Sequence, residues 1–257
     1  MSIFLFLYDS CQISFKQLLD ISLMATKSFY REAASYWANM PATIDGVLGG
    51  YGHISDIDIS GSNAFLEKVF ALENPPGAKL ALDCGAGIGR VSKHLLIPRF
   101  DKVDLIEQDE KFINTAKQWI GEDNAKLGKL YQVGLQNFEF EKFKRYDFIW
   151  CQWILCHLDD NDLIAFLNKC RLALEDNGVI IVKENISSTD DMEFDDDDSS
   201  VTRPLHHMMV IFADAKLKPV LTDVQEGFPE DIYPVHSFAL VPMEPNNSNV
   251  SYNGTKQ

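Results

Sequence analysis

Leu80-Ala81-Leu82-Asp83-Cys84-Gly85-Ala86-Gly87-Ile88-Gly89-Arg90 is the stretch around which the rest of the chain can be organised. Its apolar start predicts a short buried strand over 79–83, its glycines a tight turn, and the residues from about Arg90 a helix. In doubly wound α/β sheets this joint holds a nucleotide-like cofactor. The spacing then separates cofactor classes. A dinucleotide site has Gly-x-Gly-x-x-Gly/Ala, with its helix N-terminus facing a pyrophosphate. Here the third glycine comes one residue early, at Gly89, and the sixth position is the bulky cation Arg90.

That arrangement suits a ligand without a pyrophosphate but with a carboxylate that a planar guanidinium can grip. S-adenosyl-L-methionine (SAM) is such a ligand. The next apolar run, 102–107, ends on Glu107, about 20 residues beyond the glycine turn, where an acid accepts hydrogen bonds from ribose hydroxyls. Gly85, Arg90 and Glu107 are therefore candidate SAM ligands.

A chain of 257 residues, 46% hydrophobic, can bury a full core and is slightly long for one domain, so one domain with appendages is expected. The formal charge of −15 argues against nucleic acid, whose phosphates need a basic footprint, and favours a basic macromolecular partner. Five cysteines (Cys11, Cys84, Cys151, Cys156 and Cys170) form no C-x-x-C pair, and several fall in apolar runs, as free thiols of a reducing compartment do. The N-terminal tract Ile3-Phe4-Leu5-Phe6-Leu7 lacks a preceding basic residue and is interrupted by Asp9. It is a poor signal peptide and too short to span a bilayer, so no membrane association is expected.

Residues 1–27 differ in composition from the rest of the chain, and Met24 is a plausible natural start, so 1–27 is read as an extension, either isoform-specific or non-native. From Ser28, the spacing of Phe29, Ala33, Tyr36, Trp37 and Met40 gives a helix with one aromatic face, stopped by Pro41. It either packs on the core or forms a lid over the cofactor. Asp45 to Ile54 is too glycine-dense for a helix or central strand and reads as a gate whose glycines admit a close ligand approach. A helix over 61–71 and a turn at Asn74-Pro75-Pro76-Gly77 lead into the first strand. Beyond Arg90, strands are expected at 102–107, 129–134, 146–151 and 178–183, and helices at 110–120, 160–174 and 202–215. The apolar runs Phe148-Ile149-Trp150 and Val179-Ile180-Ile181-Val182 suit a parallel sheet covered on both faces. The last strands, 218–225 and 235–241, have no helix between them and should pair antiparallel. The domain so defined, 28–244, is a seven-stranded α/β sheet with an antiparallel last strand and helices on both faces. The Asn/Ser-rich tail 245–257 should be disordered, its sequons at Asn246, Asn249 and Asn253 unmodified.

Ligands meet the carboxyl ends of such strands. Those ends bring Gly134-Leu135-Gln136 to the adenine, Gln152 and Trp153 across the cleft from the sulfonium, His157 one turn along, and Lys183-Glu184-Asn185. Asp190 to Ser200 is a run of acids beside the same cleft. Solvated flexibility is the ordinary fate of such a run, and a divalent cation is conceivable. With no His or Cys to enforce metal geometry, a lysine or arginine of a substrate is the better partner.

Asp45 to Ile54, Leu82 to Arg90, Gly134-Leu135-Gln136, Gln152-Trp153, His157-Leu158, Lys183-Glu184-Asn185, Asp198-Ser199-Ser200 and Tyr233 with Ser237-Phe238-Ala239-Leu240 together resemble the eukaryotic protein α-N-terminal methyltransferases. Members of that family methylate the exposed amine of proteins beginning Xaa-Pro-Lys or Xaa-Pro-Arg once the initiator Met is gone. The resemblance runs from about Phe29 to Leu240 and departs at Glu107, where the family usually has Asp, and in a loop one residue longer between Asn185 and Asp198. Residues 1–27 have no counterpart.

It implies a Rossmann-like SAM-dependent methyltransferase with an N-terminal helical lid, SAM as cofactor, basic protein N-termini as partners, and a nuclear and cytoplasmic location. Gly85, Arg90, Glu107, Gln108, Asp109, Leu135, Gln136, Gln152 and Trp37 would hold SAM. Trp153 would stack on the substrate proline, and Asn185 would bind its terminal region. Asp195, Asp198 and Ser200 would receive the third-position cation or the amine, and Leu48, Ile54, Ile232 and Tyr233 would wall the peptide channel. Asp198 and His157 are the candidate bases, with Asn185 beside them. An α-amine with pKa ~7.7–8.0 is already on the order of a tenth neutral at pH 7. A SAM-dependent methyltransferase of small amines and a catalytically inactive SAM-binding scaffold are the competing readings. The acid run and glycine gate favour a peptide over the first, and the presence of every candidate reactive residue disfavours the second.

Overall fold

In the computed structural model, which describes residues 15–244 and side chains from Lys27 onward, the motif's strand is Leu80–Cys84 (β1). Its last four residues are buried, and the chain leaves it directly into the glycine turn. Lys102–Ile106 (β2), Leu127–Tyr131 (β3), Tyr146–Gln152 (β4) and Leu174–Asn185 (β5) extend the sheet, with Leu217–Val224 (β8) and Val235–Pro242 (β9) at its far side. The order is β3-β2-β1-β4-β5-β9-β8. Only β9 runs antiparallel, pairing with β5 (Lys183↔Ser237) and with β8 (Asp223↔Ser237). The seven-stranded sheet with an antiparallel last strand is thus as expected. Strand order reverses between β1 and β4, where Cys84 lies opposite Cys151, and that switch point places the ligand cleft.

The helices are Phe15–Asn39 (α1), Ile44–Val47 (α2), Ser55–Phe70 (α3), Glu110–Ile120 (α4), Asp160–Leu172 (α5) and Leu205–Asp214 (α6). On one face, Phe65, Leu66 and Val69 of α3 and Ile113 and Ala116 of α4 pack on Ala81, Val103, Phe148 and Trp150. On the other, Leu163, Phe166 and Leu167 of α5 and Met208, Ile211 and Phe212 of α6 pack on Leu82, Ile149, Val182 and Phe238. Asp109 and Asp159 cap α4 and α5, their carboxylates accepting from the N–H groups of Phe112 and Asp162. After Arg90 the helix widens into a π-type turn over Ser92–Leu96, where Ile97 N–H donates to the Ser92 carbonyl at 2.8 Å.

Three expectations change. The segment 45–54 is not merely loop: Thr43 caps one turn of helix by accepting from Gly46 N–H, and a 3-10 turn follows at Gly52–Ile54. A Cβ on Gly46 would fall 2.1 Å from the Pro41 carbonyl oxygen, so that glycine serves the segment's own packing rather than a ligand's approach. Helix α3 begins at Ser55, six residues before the expected start at 61, with Asp56 and Asp58 in its first turn. The acidic run folds into a hairpin, Glu193–Asp195 (β6) with Ser200–Thr202 (β7), in which Asp195 pairs with Ser200. Alternating acids conceal strands because carboxylates are poor β-formers, and only pairing across the turn creates the strands.

Helix α1 runs unbroken through residue 27, so the expected domain boundary falls inside a helix. The expectations for the tract Ile3 to Leu7 and for the tail and its sequons lie outside the described residues. Among the described residues no helix is long and apolar enough to cross a membrane, and the four cysteines are free thiols.

Candidate active site

The glycine turn has its three glycines at positive φ, +68° at Gly85, +54° at Gly87 and +78° at Gly89. A Cβ on Gly85 would lie 2.4 Å from Ile154 Cγ1, and one on Gly89 3.0 Å from Ala116 Cβ in α4. The turn therefore packs between the β4 end and α4 with no room for a side chain at Gly85 or Gly89, leaving its backbone along a cavity. Gly85, Arg90, Glu107, Gln108, Leu135, Gln136, Gln152 and Trp37 all line that cavity. Asp109 does not: its carboxylate caps α4, and only its N–H reaches the site, donating to Glu107 Oε1 at 2.8 Å.

Glu107 Oε2 accepts from Gly87 N–H at 2.9 Å. Each carboxylate oxygen is thus fixed by one backbone donor and keeps a lone pair, the arrangement a vicinal diol needs. Burial pushes the Glu107 carboxyl above the usual range, while the Asp109 and Gly87 N–H groups pull it back. Arg90, 4% exposed, pairs through Nη2 with Asp58 at 2.7 Å, and its guanidinium lies 5.9 Å from the Trp153 ring. Its Nη1 is buried with no hydrogen-bond partner among the described residues. An orphaned cationic donor beside a diol-ready carboxylate fits the amino-acid and ribose parts of SAM, so the residues present suit that cofactor. The Gln152 amide, in contrast, is engaged by the protein: Nε2 donates to Asp58 at 2.9 Å and Oε1 accepts from Trp150 Nε1 at 3.0 Å.

Helix α1 covers this cavity with Tyr30, Ala33 and Trp37, one helical face, as a lid would. Tyr30 pins it to α5 by donating to Asp162 at 2.6 Å and accepting from Asp159 N–H at 3.2 Å. Trp37 Nε1 donates to His157 Nε2 at 3.0 Å, and His157 Nδ1 lies 3.2 Å from the Ser199 carbonyl. The two bonds fix one tautomer, with the proton on Nδ1. Burial holds the His157 pKa below its usual value, so the ring is neutral and both nitrogens are occupied.

A second, outer cavity of about 510 Å³, against about 120 Å³ for the inner one, opens beyond a wall of Trp37, Val47, Leu48, Trp153 and His157 that both share. It is lined by the candidate residues Leu48, Ile54, Trp153, Asn185, Asp195, Asp198, Ser200, Ile232 and Tyr233 together with Cys156, Glu193, Phe194, Thr202 and Asp231. Trp153 reaches the wall because its backbone turns to φ +51° just after β4, a conformation costing a non-glycine residue about 1–3 kcal/mol. Its indole N–H donates to Asn185 Oδ1 at 3.1 Å. Glu193 accepts from Tyr233 at 2.7 Å and ties the hairpin to the segment before β9. In the hairpin turn, Asp198 Oδ1 is buried with no hydrogen-bond partner among the described residues. A carboxylate oxygen in that state calls for a cation or donor from outside the protein.

Sequence reasoning missed Asp83, which lines the inner cavity, accepts from Ser92 N–H (3.1 Å) and Oγ (2.6 Å), and is raised by burial to about 6. It also missed Asp58. The signal was available: Asp58 shares the buried stripe of Ser62, Phe65 and Val69 on α3, and an acid on an apolar face needs a partner.

Residues 25–241 match the family model for AdoMet dependent proline di-methyltransferases. The chain is 45% identical over 214 residues to N-terminal Xaa-Pro-Lys N-methyltransferase 1 of Xenopus tropicalis, covering 82% of this chain and 95% of that one. The human protein of the same name is 44% identical over 216 residues, covering 83% and 96%. Among solved structures, a SAM-dependent methyltransferase from Leishmania major superposes with a TM-score of 0.77 at 36% identity, covering 82% of each chain. Identity at this level over nearly the full length of the relatives reaches beyond a shared sheet to a shared ancestry, and the chain belongs to the AdoMet dependent proline di-methyltransferase family, as a SAM-dependent protein N-terminal methyltransferase.

Proposed function

We propose that this enzyme acts on protein N-termini reading Xaa-Pro-Lys or Xaa-Pro-Arg, and that Asp198 receives the α-amine. The observation that carries this is the buried Asp198 Oδ1, without a hydrogen-bond partner among the described residues, in a cavity that shares a wall with the cofactor site. The names of the relatives supply the Xaa-Pro-Lys motif. Bound SAM supplies an electrophilic methyl group on a sulfonium. Arg90 Nη1 holds its carboxylate, Glu107 its ribose hydroxyls, and the Gly134–Gln136 segment with Gln108 flanks the adenine, while Trp37 and Tyr30 exclude water from above.

On the substrate side, Trp153 offers its ring to the proline. Asn185 has its Oδ1 taken by Trp153, so its amide N–H groups serve the terminal peptide carbonyl. Asp198 draws in the ammonium and takes its proton. The Nε2 lone pair of His157 already accepts from Trp37, so the base role falls to Asp198, and His157 holds the lid helix to the hairpin backbone. Asp195, whose Oδ1 accepts from Asp197 N–H, and Ser200 face the third-position cation. Holding nitrogen, methyl and sulfur in line can contribute ~7–11 kcal/mol, more than the roughly 10²–10⁴-fold of a general base. Methylation of Xaa-Pro-Lys and Xaa-Pro-Arg peptides is compared with that of the N-acetylated peptides and small primary and secondary amines. Turnover confined to free-amine Xaa-Pro-Lys/Arg peptides is expected. Small amines turned over as well as the peptides would overturn the assignment.

A further inference from the structure

Asp58 is a carboxylate in the first turn of α3 that solvent does not reach, and it lines neither cavity. It nevertheless touches two residues that do. Its Oδ2 pairs with Arg90 Nη2 at 2.7 Å, and both its oxygens accept from Gln152 Nε2 at 2.9 Å. Behind it, fully buried Lys183 donates to Asp58 Oδ1 at 2.5 Å, Ser62 Oγ at 2.9 Å and Gln225 Oε1 at 2.8 Å. Those acceptors use the three donors of Lys183, so it has none left for a ligand. Arg90 differs, because Nη1 is buried without an acceptor among the described residues. Burial alone would raise the Asp58 carboxyl, but Lys183 and Arg90 outweigh it and keep the group ionised.

We propose that Asp58, with Lys183 as its counter-charge, is the positioning residue for the cofactor's carboxylate. It fixes the Arg90 guanidinium through Nη2 so that Nη1 stays the donor left for the ligand. A long, flexible arginine otherwise spends binding energy on being ordered, and a fork held on one side by a buried carboxylate is ordered before the ligand arrives. The same carboxylate orients Gln152, which explains why that side chain lines the cavity although its amide is engaged. The inference rests on the reading that Arg90 meets the carboxylate.

The test is the ratio of two dissociation constants measured by calorimetry. S-adenosylhomocysteine carries the carboxylate; methylthioadenosine shares its nucleoside and thioether and lacks the amino-acid end. Asp58→Asn keeps the side chain's shape and removes its charge. It should weaken S-adenosylhomocysteine about tenfold and methylthioadenosine by less than about twofold. A positioning role predicts that selectivity, whereas loosening of the whole site weakens both ligands equally, and that result would overturn the inference. Asp58→Asn leaves Lys183 buried without a counter-charge, so the double variant Asp58→Asn with Lys183→Met restores the balance and is read in the same way if the single variant does not fold. Arg90→Lys is measured in parallel. If it keeps the wild-type ratio, the Arg90 reading fails and the inference with it; if it loses the ratio while the Asp58 variants keep it, the Asp58 inference alone fails.

Discussion

Replacing Asp198 with Asn separates two jobs its carboxylate can do. Asp198 Oδ1 is buried and has no partner among the described residues, so an ammonium arriving there gains a charge-assisted hydrogen bond worth about 1.5–3 kcal/mol. If the same oxygen also takes the proton, the general-base contribution of roughly 10²–10⁴-fold is lost as well. Asp198→Asn should therefore lower kcat by about 10²-fold or more, on peptides with either Lys or Gln at position three. Binding of S-adenosylhomocysteine should stay at the wild-type level, because Asp198 does not line the inner cavity. If Asp198 only holds the third-position cation, KM for the Lys peptide rises and the Gln peptide is indifferent. Steady-state kinetics on both peptides distinguishes these results, and both constants intact on both peptides would refute a substrate role for the carboxylate.

Gly85→Ala puts a Cβ at φ +68° and 2.4 Å from Ile154 Cγ1, combining about 1–2 kcal/mol of left-handed strain with a clash. It should lower Tm by several degrees and weaken S-adenosylhomocysteine in calorimetry; an unchanged Tm would mean that the turn relaxes freely. Trp37→Phe removes the indole donor to His157 Nε2, so the imidazole pKa should rise toward its ordinary value in an NMR titration. An unmoved midpoint would show that burial alone keeps the ring neutral. Glu184 is raised from 4.5 to about 7, chiefly by burial, although it accepts from the N–H groups of Ile154 and Leu155. An acid with a raised folded pKa binds its proton more tightly in the native state, so its contribution to stability is full below about 4.5 and declines as pH rises to about 7. Against Glu184→Gln, the wild type should lose up to about 3 kcal/mol across that window in denaturant unfolding, and parallel pH profiles would contradict the raised value.

The sheet was legible because its signals are local. Apolar runs such as Phe148-Ile149-Trp150 specify buried strands wherever they sit, and the shift of the third glycine to Gly89 with Arg90 after it distinguished a carboxylate ligand from a pyrophosphate. The hairpin Glu193–Thr202 was not legible, since Asp195 and Ser200 become strand residues only by facing each other. Nor was the occupied state of His157, whose two bonds come from residues 120 positions before it and 42 after.

The carboxylates carry that distinction furthest. Asp104 accepts from Lys129 N–H and Tyr146 Oη, Asp83 from Ser92, Glu184 from the 154–155 backbone, and Asp58 is filled by Arg90, Lys183 and Gln152. Each is an acid whose demand for hydrogen bonds the fold itself satisfies, and such an acid stabilises or orients the structure. Asp198 belongs to the other kind, with one oxygen withdrawn from water and left without a partner among the described residues. Removing its charge should cost turnover, and removing the charge of Asp58 should cost cofactor affinity. In sequence all of these are simply Asp or Glu, whether on a strand, on a helix or in an acidic run. What separates an acid that builds the site from one that works in it is whether its partners come from the chain or from the ligand, and that is a property of the folded contacts.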